Sequence, residues 1–319
     1  MLKDSIVNFL EQGAKQIKAG KLVAFPTETV YGLGANALDP LAVARIFEAK
    51  ERPSFDPLIV HIADFEQLHQ IAEWDDPRIE LLAQRFWPGP LTLIINKKEV
   101  VPDLVTSGLP TVGVRMPNHP IALELIRQSG CPIAAPSANK FGHLSPTRAE
   151  HVKRNLPEVA LVLDGGPTQF GIESTIIRVV ADGFQLLRPG GITKEDLLEI
   201  LPESDTQPEI GNPLAPGMMH SHYSPRKPLY LIDPGAILNM DTSKMGFIGY
   251  QTKTKQPYHL KRILAPSGDL KVYASKMFEV LHEMEELPVL AIAMETVPEI
   301  GLGRAIMDRL RKAAYNYLK

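Results

Sequence analysis

The chain has 319 residues, of which 44% are hydrophobic and 22% charged, a composition typical of globular proteins and unlike that of disordered or fibrous ones. This length allows one large domain or two ordinary ones. The formal net charge of −3 argues against a surface that binds nucleic acid over its whole area, and a single cysteine, Cys131, excludes an internal disulfide or a cysteine-based metal cluster.

The beginning of the chain predicts an amphipathic helix. Apolar residues recur at helical spacing among Lys and Glu, at Leu2, Ile6, Phe9, Leu10 and Ile17. This pattern is typical of a helix of the mature fold and not of a signal peptide. Apolar runs along the chain fall short of the roughly 20 residues that span a bilayer. We therefore expect a cytoplasmic protein with no membrane segment.

Residues 1–201 alternate between predicted strands and helices. Apolar runs predict strands at 22–25, 57–62, 91–96, 111–116, 132–135, 160–164, 174–180 and 184–188. Periodic segments predict helices at 3–19, 40–50, 64–72, 76–86, 119–129, 147–155 and 193–201. The last two strands are close enough in sequence to form a hairpin, so we expect a mixed sheet.

Capping signals mark the start of three of these helices. Asp39 before Pro40 offers a side-chain cap followed by a proline at the first helical position. Two further starts resemble capping boxes, namely Thr147 with Glu150 and Thr193 with Asp196. These signals predict where the helices at 40–50, 147–155 and 193–201 begin.

The composition changes between Leu201 and Leu229. The stretch PESDTQPEIGNPLAPGMMHSHYSPRKP is rich in proline and has little periodicity, which predicts a linker at 202–228 between domains at 1–201 and 229–319. In the second domain LYLID, GFIGY and VLAIAM predict buried strands, and 269–287 and 302–317 predict helices. This alternation is typical of a small parallel, Rossmann-like unit. GLGRA at 301–305 lacks the third glycine of a dinucleotide fingerprint, so we interpret it as a packing turn.

Polar and basic residues gather just beyond several predicted strands of the first domain. The segments are PTETVYGLG, KERPSFDPLIVHI, TVGVRMP, APSANKFGHLSPT and LRPG. Arg115 stands among apolar residues in a predicted strand, so its charge requires a partner or a ligand. The others allow simpler explanations. Lys50 and Arg52 suit the end of a helix, whereas His61 suits an apolar core and Ser137 a turn.

Taken together, these segments predict a site for a phosphate-bearing substrate. Arginine and lysine form charge-assisted hydrogen bonds with phosphate and carboxylate, and hydroxyl and amide groups add neutral donors. The sequence contains no GxxxxGK[ST], HExxH or GxSxG motif and no paired-carboxylate motif, so covalent catalysis is not expected. The residues favour phosphoryl or nucleotidyl transfer driven by positioning and electrostatic stabilisation.

The motifs, in their order along the chain, resemble those of the YrdC family. The matching segments are FPTETVYGLGANA, KERPSFDPL, GVRMP, PSAN with SPT, ESTI at 173–176 and LRPG. A connector with HSHYSP and a small following domain resemble the long two-domain form of that family. The resemblance covers nearly the whole chain. It implies an α/β fold with a YrdC-like twisted mixed sheet and helices around a concave basic cavity, plus a small Rossmann-like α/β C-terminal domain.

The resemblance also implies a reaction. Members of the family combine L-threonine, bicarbonate or CO2 and ATP, with Mg²⁺, into threonylcarbamoyl-AMP and pyrophosphate, so a nucleotidyltransferase is expected. A downstream threonylcarbamoyl transferase complex then moves the group to adenosine 37 of tRNA, which makes tRNA an indirect partner. The resemblance assigns no side chain as a metal ligand.

Carried over position by position, the resemblance assigns residues to two sides of the cavity. The threonine side is expected to comprise Thr29, His61, Arg115, Ala135 and Ser174. The ATP side is expected to comprise Lys50, Arg52, Asp56, Thr111, Ser137, Asn139, Ser145, Arg188 and, from the linker, Tyr223. Lys50 and Arg52 are expected to act catalytically, against charge that develops on the phosphates. The glycines at 32 and 34 are expected to let the chain turn tightly, so that Thr29 faces the amino acid.

One position departs from the family pattern. Asp56 stands where the family usually has Asn before Pro-Leu. An anionic side chain would repel phosphates unless it binds Mg²⁺ or points elsewhere.

Two other functions compete with the synthase reaction. A module of the same fold that binds tRNA or double-stranded RNA would need a broad basic surface, which the net charge of −3 opposes. Carbamoyl transfer of the hydrogenase-maturation kind comes with zinc-finger and acylphosphatase-like regions, for which this chain lacks the cysteines and the length. We interpret the second domain as support for the first, with 202–228 as a strap over the nucleotide.

Overall fold

The computed structural model describes residues 2–206, 214–219, 222–251 and 253–315, and side chains from residue 7 onward. Its helices are α1 (Leu2–Lys18), α2 (Pro40–Lys50), α3 (Phe65–Ile71), α4 (Pro77–Phe86), α5 (Asp103–Thr106), α6 (Pro120–Ser129), α7 (Ala149–Asn155), α8 (Lys194–Leu198), α9 (Leu270–Glu286) and α10 (Gly303–Ala314). Its strands are β1 (Val23–Phe25), β2 (Gly32–Asn36), β3 (Ile59–His61), β4 (Ala72–Glu73), β5 (Leu91–Lys97), β6 (Thr111–Arg115), β7 (Ile133–Ala134), β8 (Thr175–Val180), β9 (Gly183–Arg188), β10 (Leu229–Ile232), β11 (Met245–Gly249), β12 (Leu260–Ile263) and β13 (Ala291–Glu295).

A large twisted sheet forms the first unit, residues 2–201. Its strands follow the order β1-β2-β7-β3-β6-β5-β8-β9, and β4 lies beside β5. β3 with β6 and β5 with β8 are parallel, whereas the other pairs are antiparallel. The predicted mixed sheet and the β8–β9 hairpin are therefore confirmed. The register of β3 and β6 pairs His61 with Arg115 at the ends of the two strands, which brings two predicted site residues together.

A smaller parallel sheet forms the second unit, residues 229–315. Its strands follow the order β10-β13-β11-β12. α9 connects β12 to β13, and α10 follows β13, which is the strand–helix alternation of Rossmann-like units. In GLGRA, Gly301 has a φ of 49°, and a Cβ on Gly303 would lie 1.8 Å from the carbonyl oxygen of Pro298. The segment is a packing turn, as its sequence indicates.

Some elements differ from the sequence prediction. The segment 160–164 is not a regular strand, because it makes only a single bridge between Val162 and Ala24 in the three-residue β1. β2, β4, α5 and β12 are absent from the prediction. Two glycines in β2 disfavour strand formation, and β4 and α5 are too short to show a periodic pattern.

Two of the predicted helix caps are confirmed. The side chain of Asp39 accepts a hydrogen bond from the Leu41 backbone at 2.9 Å, and Pro40 follows at the first helical position. At α8, the side chain of Thr193 accepts from the Asp196 backbone, and the Asp196 side chain accepts from the Thr193 backbone. Such caps satisfy backbone donors that the first helical turn leaves free.

The predicted capping box of Thr147 with Glu150 is wrong. α7 begins after Arg148, which makes no side-chain cap. Thr147 lies outside the helix, and its backbone N–H donates to Nδ1 of His151 at 3.3 Å. The His151 ring stacks on His282 of α9, with ring centroids 3.9 Å apart. The threonine therefore holds a histidine that joins the two units.

Apolar side chains pack on both faces of the large sheet and between the two units. One cluster lies around Val60 and Leu93, and another lies between α1 and α6. A third cluster joins Leu144 and Ile172 of the first unit to α9 and α10. Each fully buried aliphatic side chain contributes roughly 1.5–3 kcal/mol to stability. Within the described ranges, no helix is both long enough and apolar enough to cross a membrane.

Candidate functional site

A small cavity lies where strand ends of the first unit meet the linker, residues 202–228. Its volume is about 50 Å³. The wall comes from the turn between β1 and β2, from β3, from the ends of β6 and β9, from segments beside β7 and β8, and from the linker. The predicted site residues on this wall are Thr29, Arg52, His61, Arg115, Ala135, Ser137, Ser174, Arg188 and Tyr223.

Arg115 has both charged and neutral partners at one end of the cavity. Its Nη1 donates to Thr29 Oγ1 at 2.9 Å, and its Nε donates to the Gly89 carbonyl oxygen at 3.2 Å. Its Nη2 lies 2.6 Å from Oε2 of Glu28, and both side chains are buried. This ion pair supplies the partner that a buried arginine requires. The sequence analysis missed Glu28, although it is the one acidic residue in PTETVYGLG.

A hydroxyl group closes the turn that carries Thr29. Thr27 Oγ1 accepts from the Thr29 backbone at 3.1 Å and donates to the Val30 carbonyl oxygen at 2.7 Å. The hydroxyl oxygens of Thr27 and Thr29 lie 2.8 Å apart. This local network fixes the Thr29 hydroxyl beside Arg115, so the turn depends on the Thr27 hydroxyl.

The glycines at 32 and 34 do not form a tight turn, contrary to the sequence prediction. Both belong to β2. A Cβ on Gly34 would lie 2.7 Å from the Phe25 ring and 2.8 Å from the Ile133 side chain. Glycine is therefore required here because neighbouring side chains approach the strand closely.

His61 is buried and neutral at the cavity wall. Its ring contacts the Phe25 ring edge to face, with centroids 6.2 Å apart. Burial, together with the positive charge of Arg115, lowers the pKa of His61 to about 3. The imidazole can therefore hydrogen-bond to a ligand at neutral pH but does not attract an anion by charge.

Arg188 and Ser174 form a second polar group on the wall. Arg188 donates to the Ser174 carbonyl oxygen from Nε at 3.1 Å and from Nη2 at 3.0 Å, and Nη2 also donates to Ser174 Oγ at 3.1 Å. The Ser174 hydroxyl lies 2.8 Å from Thr92 Oγ1. Arg188 Nη1 donates to the Pro216 carbonyl oxygen of the linker at 3.2 Å. The linker is thus attached to a cationic part of the cavity.

Lys50 lies behind the loop that carries Ser137 and does not line the cavity. Its Nζ donates to the Ser137 carbonyl oxygen at 2.6 Å and to the carbonyl oxygen of Asn139. Burial lowers the pKa of Lys50 well below its ordinary value, and the charge of Arg52 adds to this shift. In this conformation Lys50 holds the loop backbone.

Asp56 faces Arg52 and not the cavity. Arg52 Nη2 lies 2.9 Å from Asp56 Oδ2, and Arg52 Nε donates to the Asp56 carbonyl oxygen at 3.0 Å. Burial raises the pKa of Asp56, and the positive charge of Arg52 opposes that rise. From the sequence, Asp56 would avoid repelling phosphates either by binding Mg²⁺ or by pointing elsewhere. In the structure its carboxylate points away from the cavity, toward Arg52.

Three further predicted residues lie away from the cavity wall. Asn139 donates to carbonyl oxygens of its own loop. The hydroxyl of Ser145 donates to Glu173, which does line the cavity. Thr111 begins β6, whereas Arg115 ends it, so the two residues lie about 13 Å apart along the strand.

The sequence analysis also missed a buried ion pair between the units. Oε2 of Glu173 lies 2.7 Å from Nε of Arg309 in α10. Glu173 stands in the quoted ESTI segment, which is the one local signal for it. Arg309 lies in a helix rich in charged residues, where nothing local separates a buried arginine from exposed ones.

The wall of the cavity is predominantly basic, as the sequence predicts. Among the described residues, it carries Arg52, Arg115 and Arg188 against one acidic residue, Glu173. Among the residues that the structure describes, no group of three or more His, Cys, Asp or Glu side chains is placed to hold a metal ion. The separate guanidinium groups suit a ligand set with more than one anionic group.

Two family models match the chain one after the other. The model of the Sua5, YciO and YrdC proteins, described as "Telomere recombination", matches residues 15–190. The chain belongs to the Sua5/YciO/YrdC family. A second model, described as "Threonylcarbamoyl-AMP synthase, C-terminal domain", matches residues 192–315. The family resemblance inferred from the motifs is confirmed.

Curated relatives in the Sua5/YciO/YrdC family share most of their length with this chain. The threonylcarbamoyl-AMP synthase of Pyrococcus abyssi is 44% identical, over 95% of this chain and 93% of the relative. The threonylcarbamoyl-AMP synthase of Bacillus subtilis is 42% identical, over 96% of this chain and 92% of the relative. That of Schizosaccharomyces pombe is 35% identical, over 92% and 84% of the two chains.

Solved structures of the Sua5/YciO/YrdC family agree with the fold. The crystal structure of P. abyssi Sua5 complexed with L-threonine has a TM-score of 0.87 and 43% identity, and the match covers 96% of this chain and 94% of that one. The crystal structure of Escherichia coli YciO has a TM-score of 0.50 and 23% identity, and covers 57% of this chain and 89% of that one. The second match supports the fold of the first unit alone. The predicted fold class is confirmed.

Proposed function

We propose that this chain makes threonylcarbamoyl-AMP and pyrophosphate from L-threonine, bicarbonate or CO2, and ATP, and is therefore a nucleotidyltransferase. The observation that carries this proposal is a cavity with Arg115 beside Thr29 at one end and Arg52 and Arg188 elsewhere on its wall. One guanidinium group suits a carboxylate and the others suit phosphates. The names of the relatives and the threonine in the P. abyssi structure support the same reaction.

We assign the Arg115 end of the cavity to L-threonine. Arg115 would bind the carboxylate, and the hydroxyls of Thr29 and Ser174 would add neutral hydrogen bonds. The neutral ring of His61 would complete this side without repelling the amine, since its pKa is about 3. Ala135 has a small side chain on the wall and leaves space for the ligand.

The reaction needs two bond-forming steps. The neutral amine of threonine adds to CO2, a C–N bond forms, and the amine proton passes to water to leave a carbamate. A carbamate oxygen then attacks the α-phosphorus of ATP, and the bond to pyrophosphate breaks. Cations that are held in place before the reaction stabilise the charge that develops on the phosphates without reorganisation.

We assign Arg52, Arg188 and Ser137 to the phosphates and ribose of ATP, with the loop of Asn139 and Ser145 behind them. Lys50 would act through this loop, or directly if the loop moves when ATP binds. Thr111 and Asp56 lie away from the cavity and would act only indirectly. The described residues form no carboxylate cluster for Mg²⁺, and we propose that Mg²⁺ enters with the ATP phosphates.

The linker would act as a lid over ATP. Pro216, Gly217 and Tyr223 lie on the cavity wall, and the cavity of about 50 Å³ is far below the roughly 300 Å³ or more of typical ligand pockets. ATP therefore requires displacement of the linker, which can then close over the bound nucleotide. His220 and Ser221 of the HSHYSP motif lie outside the described residues. The product would pass to a threonylcarbamoyl transferase complex that acts on tRNA.

A turnover assay tests this proposal. Purified protein should release pyrophosphate from ATP and Mg²⁺ only when both threonine and bicarbonate are present, with threonylcarbamoyl-AMP as the product detected by mass spectrometry. Replacing Arg115→Ala should raise the KM for threonine at least about tenfold, which corresponds to about 1.4 kcal/mol, and should change the KM for ATP much less.

The matched control is Arg127→Ala, because Arg127 is half-exposed on α6 and its pair with Glu124 is long, at 3.8 Å. This variant should keep both KM values. Pyrophosphate release that does not depend on threonine and bicarbonate would refute the proposed function. Equal losses for threonine and ATP in the Arg115 variant would refute its assignment.

A further inference from the structure

One arginine of the second unit is completely buried against the first. Arg309 lies in α10 with 0% of its side chain exposed. Its Nε donates to Oε2 of Glu173 at 2.7 Å, and its Nη1 donates to Asp308. A cation without solvent is costly unless it is paired and hydrogen-bonded. The position of Arg309 is therefore tightly coupled to the position of Glu173.

Glu173 transmits this contact to the cavity. It lies on the cavity wall, and its Oε1 accepts a hydrogen bond from Ser145, so both carboxylate oxygens are used. Burial alone would raise the pKa of Glu173, but the charges of Arg309 and Arg188 lower it below its ordinary value. The next residue, Ser174, accepts hydrogen bonds from Arg188. The ionised carboxylate thus connects α10 to Ser145 and, through the adjacent Ser174, to Arg188. Both Ser145 and Arg188 are assigned to the ATP side.

Arg309 also contacts the linker. The carbon at the centre of its guanidinium group lies 5.1 Å from the centroid of the Tyr223 ring, and that ring is buried. A Cβ on Gly217 would lie 2.7 Å from the Tyr223 hydroxyl, so the two linker residues are in close contact. One turn further along α10, Lys312 Nζ donates to the Gly217 carbonyl oxygen at 2.7 Å. α10 therefore holds the linker at two neighbouring points.

We propose that Arg309 is a positioning residue for the ATP side of the reaction. Through Glu173 it fixes the loop of Ser145, and through Tyr223 it fixes the linker that covers the cavity. Among the described residues, those that line the cavity all precede 229, so the second unit acts on the site by positioning its residues and not by touching a substrate. Arg309 does so beside two further contacts, Lys312 on the Gly217 carbonyl oxygen and His282 on the Ser145 carbonyl oxygen. The inference rests on the proposed synthase function.

A set of charge-matched variants separates positioning from folding. Arg309→Met leaves Glu173 buried without its cation, whereas the double change Arg309→Met with Glu173→Gln removes both charges, and replacing both partners of a buried pair is often close to neutral for stability. Asp308 keeps a partner in both variants, since Lys312 lies 2.7 Å from it. Arg309→Lys retains the charge and loses the planar geometry.

The measurements are the melting temperature, the KM values for ATP and threonine, and ATP affinity by calorimetry. Arg309→Met should lower the melting temperature and raise the KM for ATP by about ten- to 100-fold, which corresponds to about 1.4–2.8 kcal/mol, with the KM for threonine changed less than twofold. The double variant should regain most of the melting temperature but not the ATP affinity. For Arg309→Lys, the melting temperature and the KM for ATP should lie between those of the wild type and those of Arg309→Met.

The control is Arg311→Met on the same helix, where an exposed ion pair with Glu299 is removed; its KM values should stay within twofold of the wild type. The proposal is overturned if the double variant regains both stability and ATP affinity, or if both KM values rise equally. If Arg309→Met does not fold, the KM for ATP and the ATP affinity of Arg309→Lys and of the double variant test the proposal. Absence of threonine-dependent turnover in the unchanged protein would refute the synthase function, and the calorimetric comparison would still test Arg309.

Discussion

At the scale of single residues, the site depends on buried ion pairs that keep each arginine in place. Arg115 faces Glu28 at 2.6 Å, and Arg52 faces Asp56 at 2.9 Å. Each pair removes two charges from water, and this desolvation offsets much of the electrostatic attraction. The pair therefore contributes more to the orientation of the guanidinium group than to the stability of the fold. A guanidinium group that is already oriented can bind an anionic substrate without first being ordered.

The Glu28–Arg115 pair leads to a prediction about threonine. Glu28→Gln leaves Arg115 buried without its carboxylate, so the free protein should lose about 3 kcal/mol or more. Thr29 and Gly89 still orient the guanidinium, and the substrate carboxylate can replace the missing charge. Saturating threonine should therefore raise the melting temperature of the variant more than that of the wild type, as thermal unfolding with and without the amino acid will measure.

Glu124→Gln is the matched control for this experiment. Glu124 is half-exposed on α6, and its pair with Arg127 is long, at 3.8 Å. A glutamine can still accept the hydrogen bond that Gln128 donates to Glu124, so the change should alter stability by less than about 0.5 kcal/mol. A threonine-induced shift in the Glu28 variant that is equal to or smaller than the wild-type shift would show that Arg115 does not receive the substrate carboxylate.

At the scale of elements, β2 illustrates a glycine that is required by packing. A Cβ at Gly34 would lie within 2.8 Å of both Phe25 and Ile133, whereas a Cβ at Gly32 would come no closer than 3.3 Å to Ala135. Gly34→Ala should therefore destabilise the protein by about 1–3 kcal/mol, the usual cost of overpacking. Gly32→Ala should cost less. Denaturant unfolding of the two variants measures the difference, and an equal loss would contradict the packing explanation.

The same elements explain how far sequence alone could go. α2 was predictable because Asp39 and Pro40 are local signals that act within one helical turn. β2 was not, because its glycines disfavour strands in general, and the reason for them is the Phe25 ring across the sheet. A helix cap such as Asp39 depends on neighbours in sequence, whereas strand register and the close approach of distant side chains do not.

In the candidate site, too, the sequence predicts some residues from local signals and misses others whose partners are distant in sequence. Arg115 was predictable because a charge in an apolar strand needs a partner, and the motif resemblance assigned Ser174 and Arg188 to the same cavity, whose wall they line. Glu173 and Arg309 are 136 residues apart in sequence, and neither has a local pattern that would pair them. Residues that touch a substrate are concentrated in motifs, whereas the residues that position them can come from any packed element.

At the scale of the whole molecule, the two units are joined by groups that are sensitive to acid. His151 of α7 stacks on His282 of α9 with centroids 3.9 Å apart. Burial, then the charges of His282 and two nearby arginines, lowers the pKa of His151 to about 3, and burial also lowers the pKa of His282. Arg154 lies near both rings, Arg148 near His151, and Glu285 and Arg226 near His282. Both imidazoles are therefore neutral in the folded protein at neutral pH.

The sign of the resulting pH dependence follows from proton binding. In the unfolded chain a histidine has its ordinary pKa of 6.5, so between about pH 3 and 6.5 the unfolded state binds more protons than the folded state and stability rises with pH. Lowering the pH from 7 to 5 should reduce the melting temperature, while raising it from 7 to 8 should have no effect through these groups. Burial lowers the pKa of His61, His119 and His222 as well, and these residues add to the same trend.

Replacing both stacked histidines isolates the contribution of the interface. In His151→Gln with His282→Gln, the slope of stability against pH between 5 and 6.5 should fall, since two described histidines whose pKa is lowered by burial no longer titrate. Denaturant unfolding at several pH values measures that slope. A matched change of the exposed His259→Gln on the second unit should leave it unaltered. An unchanged slope in the double variant would mean that the stacked pair is not neutral in the folded protein, and that the contact between the units does not weaken with acid.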